Sequence, residues 1–300
     1  MYSQTRRRRG TSTRVAARNI KSPQTPFVCC TIVTAYYDVP SKRDHSKYML
    51  WIENLMKIEN PIVMYTTSEL APKIHAMRGT LPLVIQTQPF ESIYMWETYK
   101  DEWKKELEKD PENGYHSPML YAIWANKCVW VHEISKMNPF NTEFFMWVDS
   151  GGFRIDNDHH YYCKLFPKFC RFPKDKMVFS LIWKFYEEDY RRTNSIIGDF
   201  TKVGDDYKDR IVGGFWGGNR LACEKWRKAY EMMLLRYFVK GLFAGKEQNI
   251  MASVLLEDPT LGEILEPTLP NTKWGDPSHW LFLPRYLSDP KIEKRVYNLY

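Results

Sequence analysis

Three hundred residues with 44% hydrophobic content can bury a substantial core in one large domain or two small ones. The net charge of +7 is local: Arg6, Arg7, Arg8, Arg9, Arg14, Arg18 and Lys21 carry all of it, and from Pro26 onward 36 basic side chains face 36 acidic ones. A neutral body argues against nucleic-acid binding by the body, which would need a basic face of its own, and no apolar run approaches the roughly eighteen residues of a membrane span.

Residues 1–26 are polar, rich in Ser, Thr and Arg, and free of acid. Nothing in them can offset the entropy of ordering, so a solvated, disordered basic arm is expected. The composition also fits an organelle transit peptide, or a contact with nucleic acid or an anionic membrane. No apolar stretch of signal-peptide type follows the arginines, and the chain is expected to be soluble and cytoplasmic. Residues 27–300 read as one domain.

After the arm, strands and helices alternate. Residues 27–36 form an apolar strand that ends in Thr34-Ala35-Tyr36-Tyr37-Asp38. Tyr48, Trp51, Ile52, Leu55 and Met56 then recur at helical spacing on one face. Strands are expected at 61–65 and 83–85 with a short helix at 68–77 between them, and 94–109 reads as a charged, largely exposed helix. Ser117-Pro118 is an N-cap followed by proline at the first helical position, opening a long apolar helix to about residue 137. Phe144-Phe145-Met146-Trp147-Val148 is a buried strand that stops at Asp149 and enters Ser150-Gly151-Gly152. Further on, 177–183 and 211–216 read as strands, and 219–240 as a helix capped by Asn219 and stopped by Gly241. Another helix begins near Lys246, and the sequence from Pro259 is rich in proline and turns. Such β-α alternation predicts an α/β fold with a mostly parallel sheet flanked by helices.

The six cysteines (Cys29, Cys30, Cys128, Cys163, Cys170 and Cys223) include no CxxC pair and no zinc-ligand spacing. All six read as small buried apolar residues in a reducing compartment. A Cys163–Cys170 disulfide is the one pairing considered, and it is not favoured.

Six segments could carry chemistry. Thr34 to Asp38 leaves the first strand, where α/β folds commonly touch a nucleotide. No GxGxxG or Walker pattern accompanies it, so a dinucleotide cofactor is not expected. Asp149 delivers a carboxylate to the carboxyl edge of the sheet, a hard oxygen ligand for Mg²⁺ or Mn²⁺, although a turn-starting Asp is the plainer reading. Asp156-Asn157-Asp158, followed by His159-His160, is a second acidic candidate, ranked lower because polar clusters of this kind mark solvated loops. Gly213-Gly214-Phe215-Trp216-Gly217-Gly218 reads as a strand exit bracketed by glycines, with Trp216 offering a face to a sugar or the glycines simply making a bulge. Glu247-Gln248-Asn249 opens a helix after Gly245, and His279 lies in a late turn as a metal or diphosphate ligand or as a structural histidine.

Taken together, Thr31-Ile32-Val33-Thr34-Ala35-Tyr36-Tyr37-Asp38, Lys47-Tyr48-x-x-Trp51, Ser117-Pro118-x-Leu120-Tyr121-x-x-Trp124-x-x-Lys127, Trp147-Val148-Asp149-x-Gly151-x-Phe153-Arg154, Gly213-Gly214-x-Trp216-Gly217-Gly218 and Glu247-Gln248 resemble, in this order, the HtrL/YibB-like family. The likeness covers about residues 27–290. That family is associated with bacterial envelope polysaccharide loci and looks like a GT-A glycosyltransferase.

The resemblance implies a nucleotide-diphospho-sugar transferase fold over residues 27–300, and transfer of a hexose or pentose from a uridine-linked donor to a glycan acceptor. It implies that Asp149 serves the metal and diphosphate, with His279 as a second candidate ligand for Mn²⁺ or Mg²⁺. Thr34, Ala35, Tyr36 and Asp38 would form the nucleotide loop. Lys127, Arg154, Gly214, Trp216, Gly217 and Gln248 would complete the donor site, and Glu247 would act near the acceptor as base or orienting acid. Gly151 stands where a second acid is usual, which leaves Lys127, Arg154 or His279 to share the neutralising role. The rival reading is a non-catalytic carbohydrate-binding protein on the same scaffold.

Overall fold

Among residues 29–154, 166–167, 170–193, 196–197, 209–269, 271–274 and 277–300, which the computed structural model describes, the apolar runs become a seven-stranded sheet. The basic arm, the Asp156-Asn157-Asp158 segment and Cys163 lie outside the described residues. The strands are β1 (Cys30–Ala35), β2 (Ile62–Thr66), β3 (Leu83–Thr87), β4 (Phe144–Val148), β5 (Met177–Ser180), the two-residue pair β6 (Arg192–Thr193) and β7 (Ile196–Ile197), β8 (Phe215–Asn219) and β9 (Gly262–Leu265). Their order in the large sheet is β3-β2-β1-β4-β8-β5-β9, and β6 and β7 pair separately. All neighbours in the large sheet are parallel except at β8, which runs against both β4 and β5. The fold class is therefore the expected α/β one, with a mostly parallel mixed sheet flanked by helices.

Side-chain alternation assigns each strand two cores. On β4, Phe145 and Trp147 enter one core while Phe144, Met146 and Val148 enter the other, and β1 divides Val33 and Ala35 from Cys30 and Ile32 in the same way. The first core is covered by α3 (Tyr94–Lys109), α4 (Pro118–Met137), α5 (Arg220–Lys240) and α6 (Glu247–Glu257). The second is covered by α1 (His45–Met56), α2 (Ala71–Arg78) and α7 (Phe282–Ser288). Apolar strands buried on both faces are what a sheet with helices on either side requires.

Helix ends follow their capping residues. Ser117 accepts a hydrogen bond from the Leu120 amide at 3.2 Å with Pro118 behind it, and Asn219 accepts from the Ala222 amide at 3.0 Å. Gly241 closes α5 at φ +69°, a conformation in which glycine carries no Cβ penalty.

Four expectations are corrected. Cys29 and Cys170 are joined in a disulfide across 141 residues, so neither is a free core thiol and the partner of Cys170 is not Cys163; Cys30, Cys128 and Cys223 are buried and free. The strand expected at 211–216 begins at Phe215 and runs to Asn219, with Ile211 making only an isolated bridge to Leu181. The second glycine pair thus lies inside β8 rather than in a turn after it. A Cβ on Gly217 would sit 2.6 Å from the Phe145 carbonyl oxygen, so close backbone approach is what demands glycine there. Finally, the proline-rich end contains β9 and α7, whose packing on β5 and the second core outweighs a weak local pattern.

Candidate functional site

Asp149 continues the alternation of Phe145 and Trp147 one step beyond β4, so its side chain leaves the sheet toward α4. On α4, Leu120, Ile123, Trp124 and Lys127 share one face by their i, i+3, i+4, i+7 spacing. The two faces meet at the carboxyl edge of the sheet in a solvent-open cleft with about 640 Å³ of empty space. The β1 exit, residues 35–39, supplies the opposite wall, and Arg43, Tyr48 and Arg154 close its sides.

At the base of the cleft a buried lysine holds two acids. Lys127 Nζ lies 3.0 Å from Asp149 Oδ1 and donates to Glu247 Oε1 at 2.6 Å and to the Gly213 carbonyl at 3.3 Å. It also sits 5.6 Å from the centre of the Trp147 ring. Burial alone would lower the pKa of Lys127, but the Asp149 and Glu247 carboxylates outweigh it and raise the pKa above the ordinary lysine value. Lys127 is therefore an ammonium at all physiological pH.

Asp149 is oriented from two sides. Its Oδ1 accepts from Trp147 Nε1 at 2.6 Å as well as facing Lys127, and its amide donates to the Gly214 carbonyl at 2.9 Å. The Asp149 side chain is 40% exposed and lines the cleft. The first glycine pair makes this packing feasible. A Cβ on Gly214 would come within 3.0 Å of Asp149 Oδ2, and one on Gly213 within 2.5 Å of Glu247 Oε1. Because β8 runs antiparallel to β4, its first residues and the preceding Gly213-Gly214 are delivered to the same edge as Asp149.

The mouth of the cleft is aromatic and basic. Arg154 stacks 4.7 Å from the Trp51 ring and its Nε donates to the Gly151 carbonyl at 2.9 Å. A Cβ on Gly151 would press on Trp51 at 3.0 Å and on Tyr48 at 3.2 Å, so this turn packs directly on α1. Tyr36 pairs with His45 through a 2.8 Å hydrogen bond, and Asp38 approaches the same imidazole at 3.4 Å. Tyr37, Asp38 and Val39 also line a second, shallower trough of about 1350 Å³ that runs over the ends of β2 and β3 past Thr67, Glu69, Gln88 and Glu91.

The structure thus brings together Ala35, Tyr36, Asp38, Lys127, Asp149 and Arg154 around one cleft, with Glu247 and Gly214 directly behind it. Others of the expected residues lie elsewhere. Thr34 is wholly buried in β1. Trp216 is 2% exposed, donates to the Gly213 carbonyl at 3.1 Å and packs among Phe179 and Trp226. Gly217 is in mid-sheet opposite Met146. Gln248 is buried and donates to the Ile211 carbonyl at 2.6 Å. His279 is buried, bonded to Thr272 Oγ1 at 3.0 Å and set edge-on against Trp274. Among the described residues no group of three or more His, Cys, Asp or Glu is assembled. Sequence reading passed over Arg43, Ile123 and Trp124 as site residues; the helical spacing of Leu120, Ile123, Trp124 and Lys127 was the available signal for the last two.

A family model described as "Bacterial protein of unknown function (HtrL_YibB)" matches residues 91–265, more than half of the chain. Protein HtrL of Escherichia coli (strain K12) is 25% identical over 145 residues, 40% of this chain and 50% of that protein, so the match spans half of the curated relative's length. Among solved structures, core-mannan synthase A (CmsA/Ktr4) from Aspergillus fumigatus in its Mn/GDP form is 11% identical over 85% of this chain and 81% of that chain, with a TM-score of 0.41. Mouse xyloside xylosyltransferase 1 in its apo form is 10% identical over 79% of this chain and 84% of that chain, with a TM-score of 0.39.

Proposed function

The chain belongs to the HtrL_YibB family, bacterial proteins of unknown function, and from its cleft we propose that it is a glycosyltransferase of GT-A type, moving a sugar from a uridine diphosphate donor to a glycan acceptor. The observation that carries this reading is the lysine-locked Asp149 at the carboxyl edge between β1 and β4, facing a cleft walled by the β1 exit loop. Ligands of α/β sheets bind at that edge.

The charges suit a diphosphate only when the whole mouth is counted. Lys127 between Asp149 and Glu247 leaves the cluster at a net −1. Arg43 and Arg154 offset that charge and the carboxylate of Asp38, so the cleft is neutral overall with two guanidinium groups at its mouth that would hold the phosphates. A divalent cation fits in one respect: the partly exposed Asp149 carboxylate is a single hard-oxygen ligand at the cleft, and the cation would neutralise the departing diphosphate. The nucleoside would extend from Tyr37 and Asp38 into the trough over β2 and β3. Tyr48 and Trp124 offer faces for sugar rings.

In this scheme Lys127 and Asp149 are preorganised before any ligand arrives, so no reorganisation is needed as charge develops on the leaving group. Glu247 acts through Lys127. It is buried behind the ammonium, which favours a positioning role, the orienting acid rather than the acceptor base of the two roles that the resemblance implies.

The test is binding of uridine diphosphate and its sugars to the full chain by calorimetry, with and without Mn²⁺. Arg154→Ala is expected to weaken binding about tenfold or more, as loss of a charged phosphate contact does, at an unchanged melting temperature. Equal affinity of wild type and Arg154→Ala for every nucleotide would remove the cleft from the account.

A further inference from the structure

Helix α5 shows solvent an unusual line of side chains. Leu221, Lys225, Lys228, Met232, Leu235 and Val239 follow one another at i, i+4, i+7, i+11, i+14 and i+18, a single stripe along the 21-residue helix. Its C-terminal half is apolar and open: Met232 is 66%, Leu235 42% and Val239 81% exposed. Isolated exposed apolar residues are ordinary, but a contiguous row on one helix marks a contact surface.

Charge identifies the occupant. Arg220, Lys225, Lys228, Arg236 and Lys240 border or interrupt the stripe, against Glu224, which pairs with Lys228 at 2.7 Å, and Glu257, which pairs with Arg236 at 3.6 Å. Glu231 is turned inward to the hydroxyls of Tyr94 and Tyr99. Lys225 and Lys240 form no ion pair among the described residues. A body that is neutral overall therefore concentrates cations around its most exposed apolar row. A second copy of the same face would set these cations against one another, whereas an anionic lipid surface satisfies both halves. Short apolar side chains enter the headgroup boundary while lysines and arginines meet the phosphates.

We propose that α5 docks this protein on anionic membranes through Met232, Leu235 and Val239, with its lysines and arginines as headgroup contacts. The topology gives the contact a direction. Asn219 pairs with Phe144 at the amino edge of β4, so α5 starts there and runs back, and the segment after it leads to Glu247 at the cleft. The apolar half of the stripe thus lies toward the end of the sheet that carries the cleft. An acceptor held at a membrane surface would be met from that end.

Flotation of the full-length chain with vesicles of phosphatidylcholine, alone or with about one-third phosphatidylglycerol, tests this. The wild type is expected to float with the anionic vesicles only. Met232→Ser/Leu235→Ser/Val239→Ser should reduce the bound fraction about tenfold or more at the same salt, since the three apolar side chains that would enter the lipid are removed. Lys225→Glu/Lys228→Glu, which leaves the apolar row intact, should also release the protein, and melting temperatures show that both variants are folded. The basic arm is present in all three proteins. Absence of wild-type binding, or serine and glutamate variants that float as well as wild type, would overturn the proposal. So would a wild-type dimer that the serine variant converts to a monomer, which would mean that a second copy covers the face.

Discussion

One ammonium shared by two carboxylates makes Lys127 the residue on which the site depends most. Glu247 is nearly inaccessible, so Lys127→Met would leave a buried carboxylate without its partner, and a loss of about 3–5 kcal/mol in urea unfolding is expected. Lys127→Met/Glu247→Leu, which removes both buried charges, should recover a large part of it, a non-additivity that a double-mutant cycle reads directly. The pH dependence has a definite sign. The folded pKa of Lys127 is raised above its unfolded value, so its stabilisation is complete below about pH 10.5 and is lost as pH rises through the folded value. The stability gap between wild type and Lys127→Met should therefore be constant at neutral pH and shrink above about pH 10.5. Glu247→Gln separates positioning from base catalysis. It should leave the acid limb of the pH–rate profile in place, whereas removal of a general base would abolish that limb.

At the level of elements, β8 is where packing and site architecture interlock. Its antiparallel direction delivers Gly213 and Gly214 to the cleft edge while Trp216 turns into the core against Trp226 and Phe179. Trp216→Ala should then cost about 3–5 kcal/mol, with activity falling only in step with the folded fraction. Gly217→Ala, whose Cβ would press on backbone at 2.6 Å, is expected to destabilise by about 1–3 kcal/mol without changing nucleotide affinity of the folded protein. How far the sequence disclosed these elements depended on locality. The β4 run, the Ser117-Pro118 start and the Asn219 cap are local signals and were legible. The glycines of β8 were not, because Gly217 accommodates residues 145–146, some seventy positions away, and Gly218 accommodates Met177 and the Lys176 carbonyl, about forty positions away. The same holds for Cys29 with Cys170 and for Lys127 with Glu247, separated by 141 and 120 residues, since no spacing rule links side chains that only the sheet order brings together. Asp149 and its neighbours Arg154 and Lys127 could be singled out by type and motif. That Glu247 stands behind Lys127 rather than in the open could not.

The whole molecule is a sheet with two cores, and its acidic and basic groups balance once the arm is set aside. The first strand of the sheet begins at Cys30. Deleting residues 1–26 should consequently leave the melting temperature and nucleotide binding nearly unchanged, as expected of a segment with no apolar pattern to bury. A large fall in either would show that the arm belongs to the folded body. The cleft at the carboxyl edge, the trough beside it and the α5 stripe all lie on or run toward one end of the sheet, so donor, acceptor and membrane could be engaged together. The central claim is that this end transfers sugar and that Asp149 is indispensable to it. The most direct measurement is release of nucleoside diphosphate from a panel of nucleotide sugars, comparing wild type with Asp149→Asn at matched folded fraction. Release by wild type from at least one donor, reduced about a hundredfold or more in Asp149→Asn, is the predicted result. Binding of the donors without release, or release that Asp149→Asn leaves intact, would contradict it.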